Sequence, residues 1–340
     1  MNSIVIQSER IYEVTFVSQW VEEVERFSGG RRILVLAPEK LAEQIRKVWS
    51  SAEMISLPEG ESQKSIGTYA ATIEELAERK IERDAIVVGV GGGATTDLVG
   101  FVASSYLRGI EWVAVPTSVV GMIDAAIGGK TAINLAHGKN LAGAFYSPSR
   151  VIVDFSWLTS LDPRDKNAGL VEAAKCGFIS DPTILELIRA PHSLDEVIYR
   201  SVSVKAGIVS KDFRESDIRE YLNYGHTLGH AVEKHSNYSL RHGEAVAVGL
   251  LYAAQLAQRL GFIDKDLVDL HQSILENLGM NLHYPGDAWR TLEDLMSHDK
   301  KRKSSQNAFI LLKNLAEPHR VEGLSSELLS AVYFESIGKR

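Results

Sequence analysis

His226 and His230 stand four apart in Arg219-Glu-Tyr-Leu-Asn-Tyr-Gly-His-Thr-Leu-Gly-His230. On a helix both imidazoles would share one face, a turn apart. A third, His242, follows a polar break and opens another apolar helical run. Neutral imidazoles gathered at the ends of two helices suit a borderline divalent ion such as zinc. Two core histidines and a helix cap would give the same pattern. Upstream, Glu172-Ala-Ala-Lys175 places a carboxylate and an ammonium on one helical face. A surface ion pair is the plain alternative, but the neighbours Gly169, Leu170, Val171, Ala173 and Ala174 are small or apolar. Glu172 could therefore supply an oxygen to a metal beside two of the histidines. One carboxylate and two imidazoles leave positions open for water or substrate, as in a catalytic metal site.

A second chemical signal lies earlier. The apolar run Ala85-Ile-Val-Val-Gly-Val90 leads into Gly91-Gly-Gly-Ala-Thr-Thr-Asp97, and Leu98 to Leu107 reads as a helix. Glycines between a strand and a helix start let the backbone approach a ligand, and the free amides there favour phosphate. The pattern is neither the Gly-x-Gly-x-x-Gly fingerprint nor a Walker loop. A glycine-rich turn with no ligand is the alternative; the ligand otherwise implied is a pyrophosphate, most simply that of a dinucleotide. Further on, Asp124, Lys130, Lys139 and Asn140 sit among glycines and alanines. A few charges among small residues suggest backbone packed closely about a polar ligand.

The elements that must carry these residues fall into two textures. Up to about residue 161, short apolar runs alternate with helical patterns. Strands are expected at Ile4–Ile6 and Tyr12–Val17, then Arg32–Ala37, Met54–Leu57, Ala85–Val90, Ile110–Val115 and Val151–Asp154. Helices are expected at Leu41–Trp49, Ile66–Arg79 and Leu98–Leu107. Such alternation predicts βαβ units and a parallel sheet. From residue 162 to 340 strand-like runs vanish and helical periodicity takes over, including one run from Arg219 to Lys234. The expected fold is an α/β domain, residues 1–161, followed by a mostly α-helical domain, residues 162–340. A chain of 340 residues suits two domains, because single cores rarely grow beyond about 250–300 residues. The net charge of −7, with the short run Lys300-Lys-Arg-Lys303 as a solvated loop, argues against a nucleic-acid partner. A lone cysteine, Cys176, leaves no internal disulfide. No segment reaches the roughly 18 apolar residues of a membrane span, and the first residues do not read as a signal peptide. A cytoplasmic protein is expected.

In sequence order, Pro58-Glu-Gly-Glu61-Ser-Gln-Lys64, Gly91 to Phe101, Tyr106-Leu-Arg108-Gly, Pro116-Thr-Ser, Asp124 to Lys130, Gly138 to Phe145, Gly169 to Gly177, Arg219 to His230, His242-Gly-Glu-Ala-Val and Asp299-Lys300-Lys301 resemble the 3-dehydroquinate synthase family of sugar phosphate cyclases. The resemblance covers about residues 58 to 303. It implies an N-terminal Rossmann-like domain with a helical C-terminal domain, NAD bound between them, and one divalent metal, zinc or cobalt. It implies that Glu172, His226 and His242 hold the metal, which moves His230 to substrate phosphate and proton handling. NAD would meet Glu61, Lys64, Gly92, Gly93, Asp97, Thr117, Ser118, Asp124, Lys130, Lys139, Ser160 and Asp165. The substrate phosphate would meet Lys130, Asn140, Asn223, His230 and Lys300, with Arg108 reaching in from the second subunit of a homodimer. Lys205 and Arg219 would pair with the substrate carboxylate, while Asp124, Lys175 and Glu215 surround the ring hydroxyls. The catalytic set so implied is Lys175, His230, Asp124, Glu215 and Lys205. The implied reaction is the shikimate-pathway conversion of 3-deoxy-D-arabino-heptulosonate 7-phosphate to 3-dehydroquinate and phosphate, with NAD recycled.

Two stretches depart from the family pattern. Ala37-Pro38-Glu39-Lys40 replaces an Asp/Asn-rich turn, and Ser160-Leu-Asp-Pro-Arg-Asp165 replaces the commoner Thr-Leu-Pro-x-Arg-Glu. Both bear on cofactor contacts more than on chemistry. Cyclases of the 2-deoxy-scyllo-inosose or valiolone type act on substrates without a carboxylate and would not need Lys205, Arg219 and His230 together. A metal-dependent glycerol or alcohol dehydrogenase would consume NAD stoichiometrically and has no use for Arg219 or Lys205. A degenerate binding protein should have lost at least one of Glu172, His226, His242, Lys175 and Asp97.

Overall fold

The computed structural model describes residues 3–190, 194–298 and 308–339. The chain forms two compact units, Met1–Leu161 with Lys205–Arg214, and Asp162–Val204 with Glu215–Arg340.

The first unit is α/β. Its strands are β1 (Ser3–Gln7), β2 (Ile11–Val17), β3 (Ile33–Pro38), β4 (Glu53–Leu57), β5 (Ile86–Gly91), β6 (Glu111–Pro116), β7 (Lys130–Leu135), β8 (Gly138–Phe145) and β9 (Arg150–Asp154). Its helices are α1 (Trp20–Ser28), α2 (Glu39–Val48), α3 (Ile66–Glu78) and α4 (Gly93–Ser105). Seven strands form one sheet in the order β1-β2-β9-β6-β5-β3-β4. Only β1 runs antiparallel, so the two short N-terminal runs make a hairpin whose second strand enters the parallel sheet beside β9. Every residue of β5 is buried, as a strand covered on both faces should be. Val35, Ile86, Val88, Val113 and Ile152 form its core with Trp20, Ile45 and Trp49.

Two local features differ from the sequence expectation. α4 begins at Gly93, not Leu98, so the glycines belong to the helix start itself. The small-residue stretch after Pro116 folds into a π-helical turn at Gly121–Ala125 and then the antiparallel hairpin β7–β8.

The second unit is mainly helical, with α5 (Pro163–Ile179), α6 (Thr183–Arg189), α7 (Leu194–Lys211, whose last residues pack with the first unit), α8 (His226–His235), α9 (His242–Arg259) and α10 (Lys265–Asn277). Then follow β10 (Tyr284–Pro285), α11 (Trp289–His298), β11 (Phe309–Asn314), β12 (Glu317–Val321), α12 (Ser326–Val332) and β13 (Gly338–Lys339). The β11–β12 hairpin corrects the expectation that strands vanish after residue 162. Its apolar run, Phe309-Ile-Leu-Leu312, is too short for periodicity to tell strand from helix. α9 is buried almost all round, the mark of a central helix.

The continuous helix expected from Arg219 to Lys234 does not form. Residues Ile218–Asn223 make a 3-10 helix, and Gly225 then adopts φ 78° before α8 begins at His226. A side chain at that φ would crowd its own backbone, so only glycine turns the chain there cheaply. The break puts His226 at the very start of α8, where its ring is not sheathed by a preceding helical turn.

Candidate active site

Glu172 and Lys175 project from α5, His226, His230 and Glu233 from α8, and His242 is the first residue of α9. Close packing brings these helices together. A Cβ on Gly243 would lie 1.9 Å from the Ala168 carbonyl oxygen, so α9 meets α5 backbone to backbone beside His242. Around this contact, Arg164 pairs with Glu244 and Arg241 with Asp165, both at 2.5 Å. Glu244 also accepts a hydrogen bond from the Arg241 amide at 2.8 Å, the return half of a capping box.

Glu172 is 1% exposed. Its Oε1 lies 3.2 Å from His242 Nε2 and 3.6 Å from His226 Nε2, and its Oε2 lies 2.5 Å from Lys175 Nζ. Neither carboxylate oxygen completes a hydrogen bond of normal geometry. Both imidazoles turn Nε2 toward it because their other nitrogens are engaged. His226 Nδ1 is 3.0 Å from the Tyr224 carbonyl, and His242 Nδ1 is 3.1 Å from Glu233 Oε2. Carbonyl and carboxylate oxygens only accept, so both rings donate from Nδ1. The neutral His226 then keeps a lone pair on Nε2, whereas His242 carries a proton on Nε2 toward Glu172 that must leave when an ion binds there.

The charges are strongly interdependent. Burial raises the Glu172 pKa, but the Lys175 ammonium and the two histidines outweigh it and hold the carboxyl well below its ordinary range. Burial, then the Lys175 charge, push His226 well below its ordinary value, so this ring is neutral. Burial opposes a proton on His242, yet the carboxylates of Glu172 and Glu233 prevail and lift it to about 10. An ionised carboxylate, a neutral imidazole and a second imidazole held between two carboxylates form a cation-seeking group. The nearest ligand atoms of Glu172, His226 and His242 all lie within 4.8 Å of one another, and His230, Glu233 and His242 make a second such set. This donor chemistry fits a divalent ion with O and N ligands. His230 is exposed, its ring 5.1 Å from that of His226.

In the same unit Asn223 donates to Glu215 at 2.8 Å, and Arg219 is 2% exposed. Asp165 lies here too, against Arg241. Lys300 lies outside the described residues.

The first unit holds a separate polar network. Lys64, only 3% exposed, donates to Asp97 at 2.5 Å and to the Asn140 side chain. Glu61 accepts from Asn134 at 2.8 Å and faces Lys64 at 3.8 Å and Lys139 at 4.0 Å. Loss of hydration pushes Asp97 up to about 6 despite the lowering effect of Lys64. Gly92 and Gly93 open α4 at the end of β5, and Thr117 and Ser118 follow the adjacent β6; the Thr117 amide bonds the Gly91 carbonyl at 2.9 Å. Free amides at this helix start offer an anion seat. Lys205 donates to the Asp124 carbonyl at 2.5 Å and also to its carboxylate. Lys130 is exposed at the head of β7. Ser160 is exposed and donates to the Trp157 carbonyl within its own turn. Arg108 is exposed in a tight turn, at φ 64°.

Three participants escape a reading of the sequence. Asn134 bridges Glu61 and the Asn140 amide, the latter at 3.0 Å. Nothing in its neighbourhood marks it. The Tyr224 carbonyl is backbone and has no sequence signature. Glu233 did have one: it stands three after His230 and seven after His226, on the same face of α8.

Residues 54–168 match the 3-dehydroquinate synthase N-terminal family model, and residues 169–302 match the C-terminal one. The chain is 45% identical to the 3-dehydroquinate synthase of Streptomyces avermitilis, over 95% of this chain and 94% of that one. Among solved structures it resembles 2-deoxy-scyllo-inosose synthase complexed with carbaglucose-6-phosphate, NAD+ and Co2+ (TM-score 0.87, 26% identity, 99% and 100% of the two chains). It has the fold of ValA, the 2-epi-5-epi-valiolone synthase of Streptomyces hygroscopicus subsp. jinggangensis 5008, solved with NAD+ and Zn2+ (TM-score 0.87, 22% identity, 98% of each chain). Sequence and fold agree, and the chain belongs to the 3-dehydroquinate synthase family.

Proposed function

We propose that this chain converts 3-deoxy-D-arabino-heptulosonate 7-phosphate to 3-dehydroquinate and phosphate, using catalytic NAD and one divalent ion, zinc or cobalt. The observation that carries the reading is the convergence of Glu172, His226 and His242 from three helices, in a chain 45% identical to a relative of that name. NAD would supply reversible hydride acceptance, and the ion Lewis acidity toward the reacting hydroxyl.

The chain's own residues then position and balance charge. Glu172, His226 and His242 hold the ion. Lys175, 2.5 Å from Glu172, keeps that carboxylate ionised and presents an ammonium to the ring hydroxyls. Exposed His230 takes and returns protons near the phosphate, which Lys130, Asn140, Asn223 and Lys300 also hold. Arg219 binds the substrate carboxylate, because its guanidinium fork meets both oxygens. Lys205, held by Asp124, assists there. Glu215, partnered by Asn223, and Asp124 face the hydroxyls. Glu61, Lys64, Gly92, Gly93, Asp97, Thr117, Ser118 and Lys139 contact NAD, with Asp124, Lys130, Ser160 and Asp165 completing its surroundings. Arg108, exposed on a tight turn, serves the partner subunit of a homodimer. Among the described residues no helix is long and apolar enough to cross a membrane, and a cytoplasmic enzyme fits a small polar substrate.

The test is phosphate release from the heptulosonate phosphate with catalytic NAD and zinc, before and after chelation. Phosphate and dehydroquinate formed without net NADH, and lost on chelation, are the expected result. Steady NADH production from an alcohol without phosphate release would replace the cyclase by a dehydrogenase. Turnover only of a sugar phosphate lacking a carboxylate would make it a cyclase of the 2-deoxy-scyllo-inosose type.

A further inference from the structure

The two histidines are oriented by different means. His226 donates to a main-chain carbonyl, which no substitution at Tyr224 removes directly. His242 donates to a side chain, that of Glu233, on a different helix from its own. Glu233 is 8% exposed and stands seven positions after His226 along α8. One face of α8 thus supplies a ligand of its own and reaches across to the first residue of α9. At a helix start the His242 ring is not sheathed by a preceding turn, so its rotation about the side-chain bonds needs an external restraint. A carboxylate behind a ligating imidazole selects the tautomer, orients the ring and raises its basicity as a donor.

We propose that Glu233 is a positioning residue: by accepting the Nδ1 proton of His242 it fixes the ring that presents Nε2 to a divalent ion, and so sets the affinity of the site. This rests on the assignment of Glu172, His226 and His242 as the ligands. Glu233 touches neither substrate nor cofactor in this role, and it is not itself a ligand.

The experiment measures zinc affinity of the full-length, metal-stripped protein by competition with a chromophoric chelator, and the visible absorption of the Co2+ form. Glu233→Leu removes the acceptor; Glu233→Gln keeps an acceptor oxygen and loses the charge. The expected result is zinc binding about 10–100-fold weaker in Glu233→Leu, with a changed Co2+ spectrum. Glu233→Gln should fall between it and the parent, with the Co2+ spectrum largely kept. His230→Ala should bind zinc as the parent does. Wild-type zinc affinity and an unchanged Co2+ band in either Glu233 variant overturn the proposal. So does an equal loss in His230→Ala, which would make Glu233 a ligand of the second donor set. If Glu233→Leu does not fold, Glu233→Gln decides alone: weaker binding supports the proposal and parental binding overturns it. Glu172→Ala separates the two levels, since undiminished zinc binding there would mean that the ligand assignment, not the role of Glu233, is wrong.

Discussion

Glu172 shows how far one side chain depends on its company. A buried carboxylate with no opposite charge would take up a proton. Here the Lys175 ammonium and two imidazoles keep it ionised. Replacing it with alanine removes the carboxylate that lies 2.5 Å from the buried Lys175 ammonium and between the two rings. Phosphate release from the heptulosonate phosphate should fall by at least about a hundredfold in Glu172→Ala, as loss of a group stabilising developing charge does. Rates within a few-fold of the parent would remove Glu172 from the site. The histidines and Glu172 were legible in the sequence because one-turn spacing and an apolar setting are local properties. Asn134 and the Tyr224 carbonyl were not, because nothing about their own neighbours reveals what they meet.

At the scale of elements, the site is as good as the fit of α5 against α9. Ala168 and Gly243 touch backbone to backbone. A methyl at Gly243 meets a carbonyl that cannot rotate away, so the helices must part. Gly243→Ala should cost about 1–3 kcal/mol of stability, the usual penalty of overpacking, and weaken zinc binding as well. Gly207 in α7 has nothing within 4 Å of its would-be Cβ, so Gly207→Ala should be neutral or stabilising by up to about 1 kcal/mol. Denaturant melts of the two variants check this, and equal stabilities would mean that α9 has room to move. Single glycines decide such contacts, whereas helical periodicity only says that a helix has a buried face.

For the whole molecule, two levers should show. His271 is fully buried, stacked on Phe178 at 3.6 Å, with Nδ1 donating to the Leu267 carbonyl and Nε2 accepting from Tyr224. Burial lowers its pKa to about 4 from an ordinary 6.5. The unfolded chain therefore binds a proton that the folded one refuses. His271 contributes fully above pH 6.5, and its contribution fades as pH falls toward 4, by up to about 3 kcal/mol. Unfolding free energies at pH 7, 6, 5 and 4.5 should decline with a component missing in His271→Gln; parallel profiles would refute it. Metal is the second lever. An ion that binds only the folded chain stabilises it by about 2.7 kcal/mol at a hundred times its Kd, so chelation should lower Tm and zinc restore it. A Tm indifferent to zinc and chelator alike would leave the donor cluster without a metal.

The sequence by itself determined the alternation of buried strands and helices in the first unit and the helical character of most of the second, and it singled out Glu172, His226 and His242, which the fold brings together, as candidates for the chemistry. Those are properties of composition and spacing within a few turns of chain, and family motifs made the assignment specific. Only the tertiary structure decided the rest. It broke the helix expected from Arg219 at Gly225, drew a hairpin from the small residues after Pro116, and placed strands at Phe309–Val321. It joined Lys205 to Asp124 and gave His242 its acceptor in Glu233. Each of these depends on what lies across a contact between elements distant in sequence, or on one glycine's backbone angle, and periodicity along the chain records neither.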